Sequence, residues 1–117
     1  MSALASLDQE TIDRLGQLIP NWEIDKNYLS REIKFKNFNE AWGFMSQVAL
    51  IAEAMNHHPD WSNVYSTVNI RLMTHDSGSV TRLDFELALK INEALGEEKS
   101  IQKKIQEFLR LFSFKYD

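Results

Sequence analysis

Pro59 stands where the hydrophobic rhythm of the chain changes. On its N-terminal side Ala41, Phe44, Met45, Val48, Ala52 and Met55 recur every three or four residues, the spacing that lines one apolar stripe along a helix. On its C-terminal side Val68, Ile70, Leu72 and Thr74 alternate with Asn69, Arg71, Met73 and His75, as a strand with one face in a core requires. The proline ring disfavours helical geometry at His58, so the helix must stop near Asn56 or His57. The break falls within Glu53-Ala-Met-Asn-His57-His58-Pro59-Asp60-Trp61. His57 and His58 are two of the three histidines in the chain, and His75 is the third. Histidine is the side chain whose ordinary pKa lies near neutrality, so a proton-transfer site is predicted where the fold turns.

The flanking sequence supplies the other elements. Ser6 followed by Gln9 has the form of a capping box, and Ile12, Leu15, Leu18 and Ile19 continue at helical spacing, predicting a first helix that ends before Pro20. From Trp22 to Phe35, Leu29, Arg31, Ile33 and Phe35 alternate with Ser30, Glu32 and Lys34, with Asp25-Lys26-Asn27 as the turn, which reads as a hairpin. Asn37 or Asn39 caps the second helix. A short strand around Ser62 to Tyr65 is expected to pair with the one ending at His75. After Gly78, Thr81 and Asp84 are spaced to cap a third helix through Phe85, Leu87, Ala88, Ile91 and Leu95, with Gly96 as its stop. Ser100, Ile101, Ile105, Phe108, Leu109 and Phe112 predict a fourth helix. The class is α+β: a four-stranded antiparallel sheet with helices packed on one face, in the order αββαββα, plus an extra C-terminal helix. Residues 1–96 form the domain and 97–117 a helical extension of it.

A net charge of -4 in 117 residues argues against a broad basic face for nucleic acid. There is no cysteine, so thiolate zinc sites and cysteine nucleophiles are excluded and the cytoplasm is the default compartment. The first ten residues have neither a basic start nor a long apolar run, predicting no secretory leader. No apolar stretch reaches the roughly 20 residues of a membrane span.

Two readings of the histidines stay open on the residues alone. Glu53 and His57 are four apart and share a helix face, so the carboxylate can orient the imidazole of a general acid. Equally, they can be a surface pair at a helix end, with His75 an exposed strand end. Asp84 can be a cap and nothing more, and Trp61 an ordinary core aromatic. Metal binding is disfavoured: adjacent histidines chelate one ion poorly and no H-E-x-x-H pattern occurs.

Taken together, Glu53-x3-His57-His58-Pro59-Asp60-Trp61, then Asn63-Val64-Tyr65, Thr74-His75 and Asp84-x3-Ala88, closely resemble the pterin-4a-carbinolamine dehydratase family, also called the dimerisation cofactor of a hepatocyte nuclear factor. The likeness runs from Trp22 through Arg31-x-Ile33-x-Phe35 and Asn37-Phe38-x3-Trp42 to about Leu95. It implies conversion of 4a-hydroxytetrahydropterin to quinonoid dihydropterin and water, recycling a tetrahydrobiopterin-type cofactor by histidine acid-base catalysis, without metal or cofactor. It implies catalytic roles for His57, His58, His75 and Glu53, with Glu53 holding His57. It implies pterin contacts from Asn56, Trp61, Met73, Thr74 and Asp84, with Trp61 as an aromatic wall and main-chain groups near Met73 and Thr74 on the pterin edge. Many relatives have a basic residue directly before the site aspartate; here Arg82-Leu83 precede Asp84. The family also implies a homodimer or homotetramer in the cytoplasm. Its second activity, as a protein-binding module for a transcription factor, is the alternative, and it would extend the location to the nucleus in a eukaryote. Neither nucleic acid nor membrane is an expected partner.

Overall fold

The computed structural model describes residues 5–97 and, beyond them, Lys103, Gln106, Glu107 and Arg110. Its elements follow in the order α1 (Gln9–Gly16), β1 (Glu23–Ile24), β2 (Leu29–Lys34), α2 (Phe38–Met55), β3 (Asp60–Val64), β4 (Thr67–Leu72) and α3 (Arg82–Ala94). The expected α+β class and antiparallel sheet are observed. The strands lie in the order β1-β2-β4-β3, so the two hairpins join through β2 and β4, with Leu29 opposite Leu72 and Ile33 opposite Val68.

Register decides which side of the sheet is core. Leu29, Ile33, Val68, Ile70 and Leu72 are buried and pack with Val48 of α2 and Phe85, Leu87 and Ile91 of α3. Glu32, Asn69 and Arg71 point to the open face and are exposed. On β2 the core side also carries Arg31, opposite Ile70. Its guanidinium reaches across to α3 and beyond, donating to Asn92 Oδ1 at 2.9 Å and to Glu97 Oε1 at 2.8 Å. Trp22 Nε1 donates to the same Asn92 oxygen at 2.9 Å. These contacts tie the residue just after Gly96 to the middle of the sheet.

The caps explain where the helices begin and end. Asp8, not Ser6, starts α1: its carboxylate accepts from Thr11 N–H at 2.9 Å, and a negative charge suits a helix N-terminus. The Ser6 hydroxyl instead meets that of Ser79. Asn37 caps α2 by accepting from Glu40 N–H at 2.9 Å. Thr81 and Asp84 form the expected capping box on α3. Gly96, at φ +78°, ends that helix with Glu97 N–H on Asn92 O and its own N–H on Glu93 O, a closure that needs a left-handed residue. Lys103, Gln106, Glu107 and Arg110 are helical and exposed. Ser100, Ile101, Ile105, Phe108, Leu109 and Phe112, on which the fourth helix was predicted, lie outside the described residues. Among the described residues no helix is long and apolar enough to cross a membrane.

The Arg31 guanidinium, through its hydrogen bond and its charge, holds the Glu97 carboxyl below the ordinary value of 4.5. A depressed folded value means that this pair stabilises the fold above the unfolded carboxyl's pKa and is lost as pH falls through the folded one. Glu97→Gln is therefore expected to lower thermal stability at neutral pH and to flatten the part of the acid-unfolding curve below about pH 4.5. A melting-temperature series across that range in both proteins checks it.

Candidate active site

The cleft that gathers the histidines lies where α2 ends, β4 ends and α3 begins. Asn56, His57, His58, Pro59, Met73, Thr74, His75, Asp76 and Leu83 line a depression of about 340 Å³. What places the histidines is Asn56. It adopts left-handed geometry at φ 52°, and asparagine is the residue other than glycine that best tolerates this at a helix end. His57 N–H then bonds back to Ala52 O and Asn56 N–H to Glu53 O, closing the helix one residue before the histidines. Pro59 adds its constraint from the other side.

That reversal overturns the predicted Glu53–His57 pair. The i,i+4 geometry holds only while the helix persists, and His57 has already left it. Its ring swings inward, where Nε2 lies 2.6 Å from Asp84 Oδ1. Glu53 instead pairs with His58, Nε2 to Oε1, at 2.8 Å. The two pairs are alike in length and opposite in setting. The His57 and Asp84 side chains are 10% and 0% exposed, the His58 and Glu53 side chains 57% and 80%. An exposed pair of this kind contributes less than about 1 kcal/mol, so Glu53 steers His58 weakly. Asp84 holds His57 firmly, because a buried carboxylate stripped of one partner costs about 3–5 kcal/mol.

Asp84 does not line the cleft. It sits behind His57 and is saturated from the protein side: Oδ2 accepts from Thr81 N–H and from the Thr74 hydroxyl, both at 2.9 Å. Thr74 is similarly occupied. Its N–H donates to Ser79 O, its carbonyl accepts from the N–H groups of Ser77 and Gly78, and its hydroxyl also meets Thr81 Oγ1 at 2.7 Å. The main chain at Thr74 is thus engaged by the turn 74–79 and is not free for a ligand edge. That turn, with Gly78 at φ +68°, projects His75 beyond β4 on the rim of the cleft, exposed.

Trp61 falls outside the cleft as well. Strand register sets it opposite Ile70, on the core side of β3, where it packs against the core and borders a shallow depression with Asp60, Ser62, Asn69 and Arg71. Among the described residues, therefore, no Phe, Tyr or Trp side chain lines the cleft, and Trp61 does not wall it. Sequence reasoning missed Asp76 and Leu83 on the lining and Thr81 behind it. The Thr81-x-x-Asp84 box was visible, but nothing in a capping motif announces a histidine partner from another helix. Among the described residues no group of three His, Asp or Glu side chains is arranged to hold a metal ion.

A family model described as Pterin 4 alpha carbinolamine dehydratase matches residues 5–94. The chain belongs to that family. A provisionally named pterin-4-alpha-carbinolamine dehydratase of Prochlorococcus marinus (strain MIT 9215) is 52% identical over 87 residues, covering 74% of this chain and 91% of the relative. A protein of the same provisional name from Synechococcus sp. (strain WH7803) is 48% identical over 86 residues, covering 74% and 92%. Among solved structures, the transcriptional coactivator/pterin dehydratase of Brucella melitensis superposes with a TM-score of 0.73 at 37% identity, covering 77% of this chain and 98% of that one.

The two roles of Asp84 are separable by stability. Asp84→Ala removes the cap acceptor and the His57 partner together and is expected to cost on the order of 3–5 kcal/mol. Asp84→Asn keeps an acceptor for Thr81 N–H and is expected to cost less, about 1–3 kcal/mol. Denaturant titration of the two variants reads the difference; equal losses would mean that the cap acceptor contributes nothing and that the carboxylate's contact with His57 carries the stability.

Proposed function

We propose that the chain dehydrates 4a-hydroxytetrahydropterin to quinonoid dihydropterin and water, recycling a tetrahydrobiopterin-type cofactor in the cytoplasm. The observation that carries this reading is the convergence of His57, His58 and His75 on one cleft, with His57 held from behind by a buried carboxylate. The reaction breaks the C4a–O bond and removes one ring N–H proton. Hydroxide leaves poorly and must be protonated, while a base must take the nitrogen proton as the imine-like bond forms; imidazoles near neutral pH serve both steps. His57 is the acid for hydroxyl departure: Asp84 Oδ1, 2.6 Å from Nε2, fixes the plane of its ring. His58 and His75, on the exposed rim, take up the nitrogen proton and return it to water. Asn56 and the main chain near Met73 orient the pterin edge. Each proton has a donor and an acceptor among these side chains, and no metal or cofactor enters the scheme.

His57→Gln keeps an amide that can donate to Asp84 while removing the titratable ring, and His58→Ala leaves Asp84 untouched. Each is expected to lower turnover on the order of 10²-fold, the usual loss for one positioned proton-transfer group. Ultraviolet decay of freshly generated carbinolamine is the measurement. Wild-type turnover in both variants would refute the assignment.

A second reading, protein binding, is favoured by one specific observation. On the outer side of α2 the large side chains Phe38, Trp42 and Leu50 are 47%, 57% and 75% exposed, and the Phe38 and Trp42 rings stack at 6.1 Å. Large apolar side chains gathered on one exposed helix face mark a surface that binds a partner. The cover we propose is a second copy of the chain, in a homodimer or homotetramer; a transcription-factor segment is the other occupant, consistent with the coactivator name of the Brucella protein. Trp42→Glu together with Leu50→Glu is expected to shift the mass by light scattering to the monomer. An unchanged mass would move the interface elsewhere.

A further inference from the structure

The hydroxyl groups behind the cleft can be hydrogen-bonded in one direction only. Leu83 N–H donates to Thr81 Oγ1 at 3.3 Å, Thr81 Oγ1 and Thr74 Oγ1 are 2.7 Å apart, and Thr74 Oγ1 lies 2.9 Å from Asp84 Oδ2. A hydroxyl has a single proton to give, and an ionised carboxylate only accepts. Thr74 must therefore donate to Asp84, which obliges Thr81 to donate to Thr74. The result is a chain from amide to hydroxyl to hydroxyl to carboxylate, in which each bond polarises the next. Thr81 N–H, at 2.9 Å, is a second donor on the same Oδ2. With two donors on Oδ2, Oδ1 is the oxygen left to accept from His57. The proton shared across the 2.6 Å contact between Asp84 Oδ1 and His57 Nε2 thus belongs to the imidazole. No hydrogen bond engages Nδ1 among the described residues, and that atom is not closed off from solvent.

We propose that Thr74 and Thr81 are positioning residues for the dehydration: their hydroxyl relay, with Thr81 N–H, occupies Asp84 Oδ2 and fixes the carboxylate so that Oδ1 receives His57 Nε2–H, and Nδ1 is the atom that exchanges a proton with the pterin. The identity of the substrate rests on the proposed dehydratase activity, whereas the placement of the hydrogens does not. Neither hydroxyl is available to substrate. Thr81 is fully buried, and the Thr74 hydroxyl both accepts from Thr81 and donates to Asp84.

The test uses the full chain labelled with ¹⁵N. In the wild type, imidazole correlations should show neutral His57 protonated at Nε2 and bare at Nδ1. The Nε2–H and both threonine hydroxyl protons should exchange slowly enough with water to be observed. Thr74→Val keeps the shape of the side chain and removes the hydroxyl. It is expected to displace the His57 Nε2–H resonance and to lower kcat about tenfold with KM changed less than about twofold, a fraction of the effect of losing an acid outright. Thr74→Ser restores the hydroxyl and should restore both readouts. Wild-type His57 resonances and kcat in Thr74→Val would overturn the proposal, and so would a wild-type His57 protonated at Nδ1 and bare at Nε2. If Thr74→Val does not fold, the wild-type spectrum decides, since rapidly exchanging threonine hydroxyls are incompatible with a closed relay. A wild type with the expected spectrum and no dehydratase turnover would remove the proposed activity and leave the hydrogen placement standing.

Discussion

A buried carboxylate that must satisfy its lone pairs holds this end of the molecule together. Moving an ionised group out of water costs several kcal/mol even after relaxation, and the cost is recovered only when hydrogen bonds replace the lost water. Asp84 is fully buried, and its partners come from three places: His57 just past α2, Thr74 just past β4, and Thr81 at the start of α3. None of these elements can shift without stranding the charge. The residue that caps a helix is therefore also the residue that fixes the cleft, one oxygen serving each task.

Most of the fold was legible because burial writes a period into the sequence. The alternation of Val68, Ile70 and Leu72 with Asn69 and Arg71 is the record of one face in the core, and the stripe from Ala41 to Ala52 is the same record at helical spacing. Ends were legible where a residue has a local duty, as at Pro59, at Thr81 with Asp84, and at Gly96. Ser6 gives the wrong cap because serine and aspartate compete for that role, and a pattern two residues too early looks the same as the right one. The histidines gathered as a cluster, but their partners did not follow from spacing. A single left-handed residue at Asn56 turns His57 away from Glu53 and toward a carboxylate 27 positions distant. The Arg31–Glu97 pair spans 66 positions, and no periodicity marks a contact of that range. The resemblance places Trp61 at a wall of the site, yet its parity with Ile70 sets it half-buried on the core side of β3.

Two adjacent imidazoles have been given different mechanical settings by this arrangement. Charges about 4 Å apart interact by only about 1 kcal/mol in bulk water and severalfold more where the effective dielectric is lower. The His57–Asp84 pair lies in the second setting and the His58–Glu53 pair in the first. The His57 ring is therefore held in one orientation, whereas the exposed His58 ring is held only weakly; on the proposed reading the first delivers a proton along a fixed line and the second follows the ligand. A site that must protonate a leaving group at a defined carbon, and then exchange the proton with solvent, has use for one ring of each kind.

Helix α2 joins the chemistry to the surface. Its inner face supplies Phe44 and Val48 to the core, its C-terminal end supplies Glu53, Asn56 and then the histidines, and its outer face exposes Phe38, Trp42 and Leu50. On the proposed reading, a second copy covers that outer face while the pterin enters beyond Asn56. The two occupants would contact one rigid body at different places, so that assembly need not obstruct the cleft. A partner on Trp42 and Leu50 would instead remove water from a helix whose end leads into the histidine cleft, and so hold Asn56 more firmly in the left-handed turn from which that cleft takes its direction.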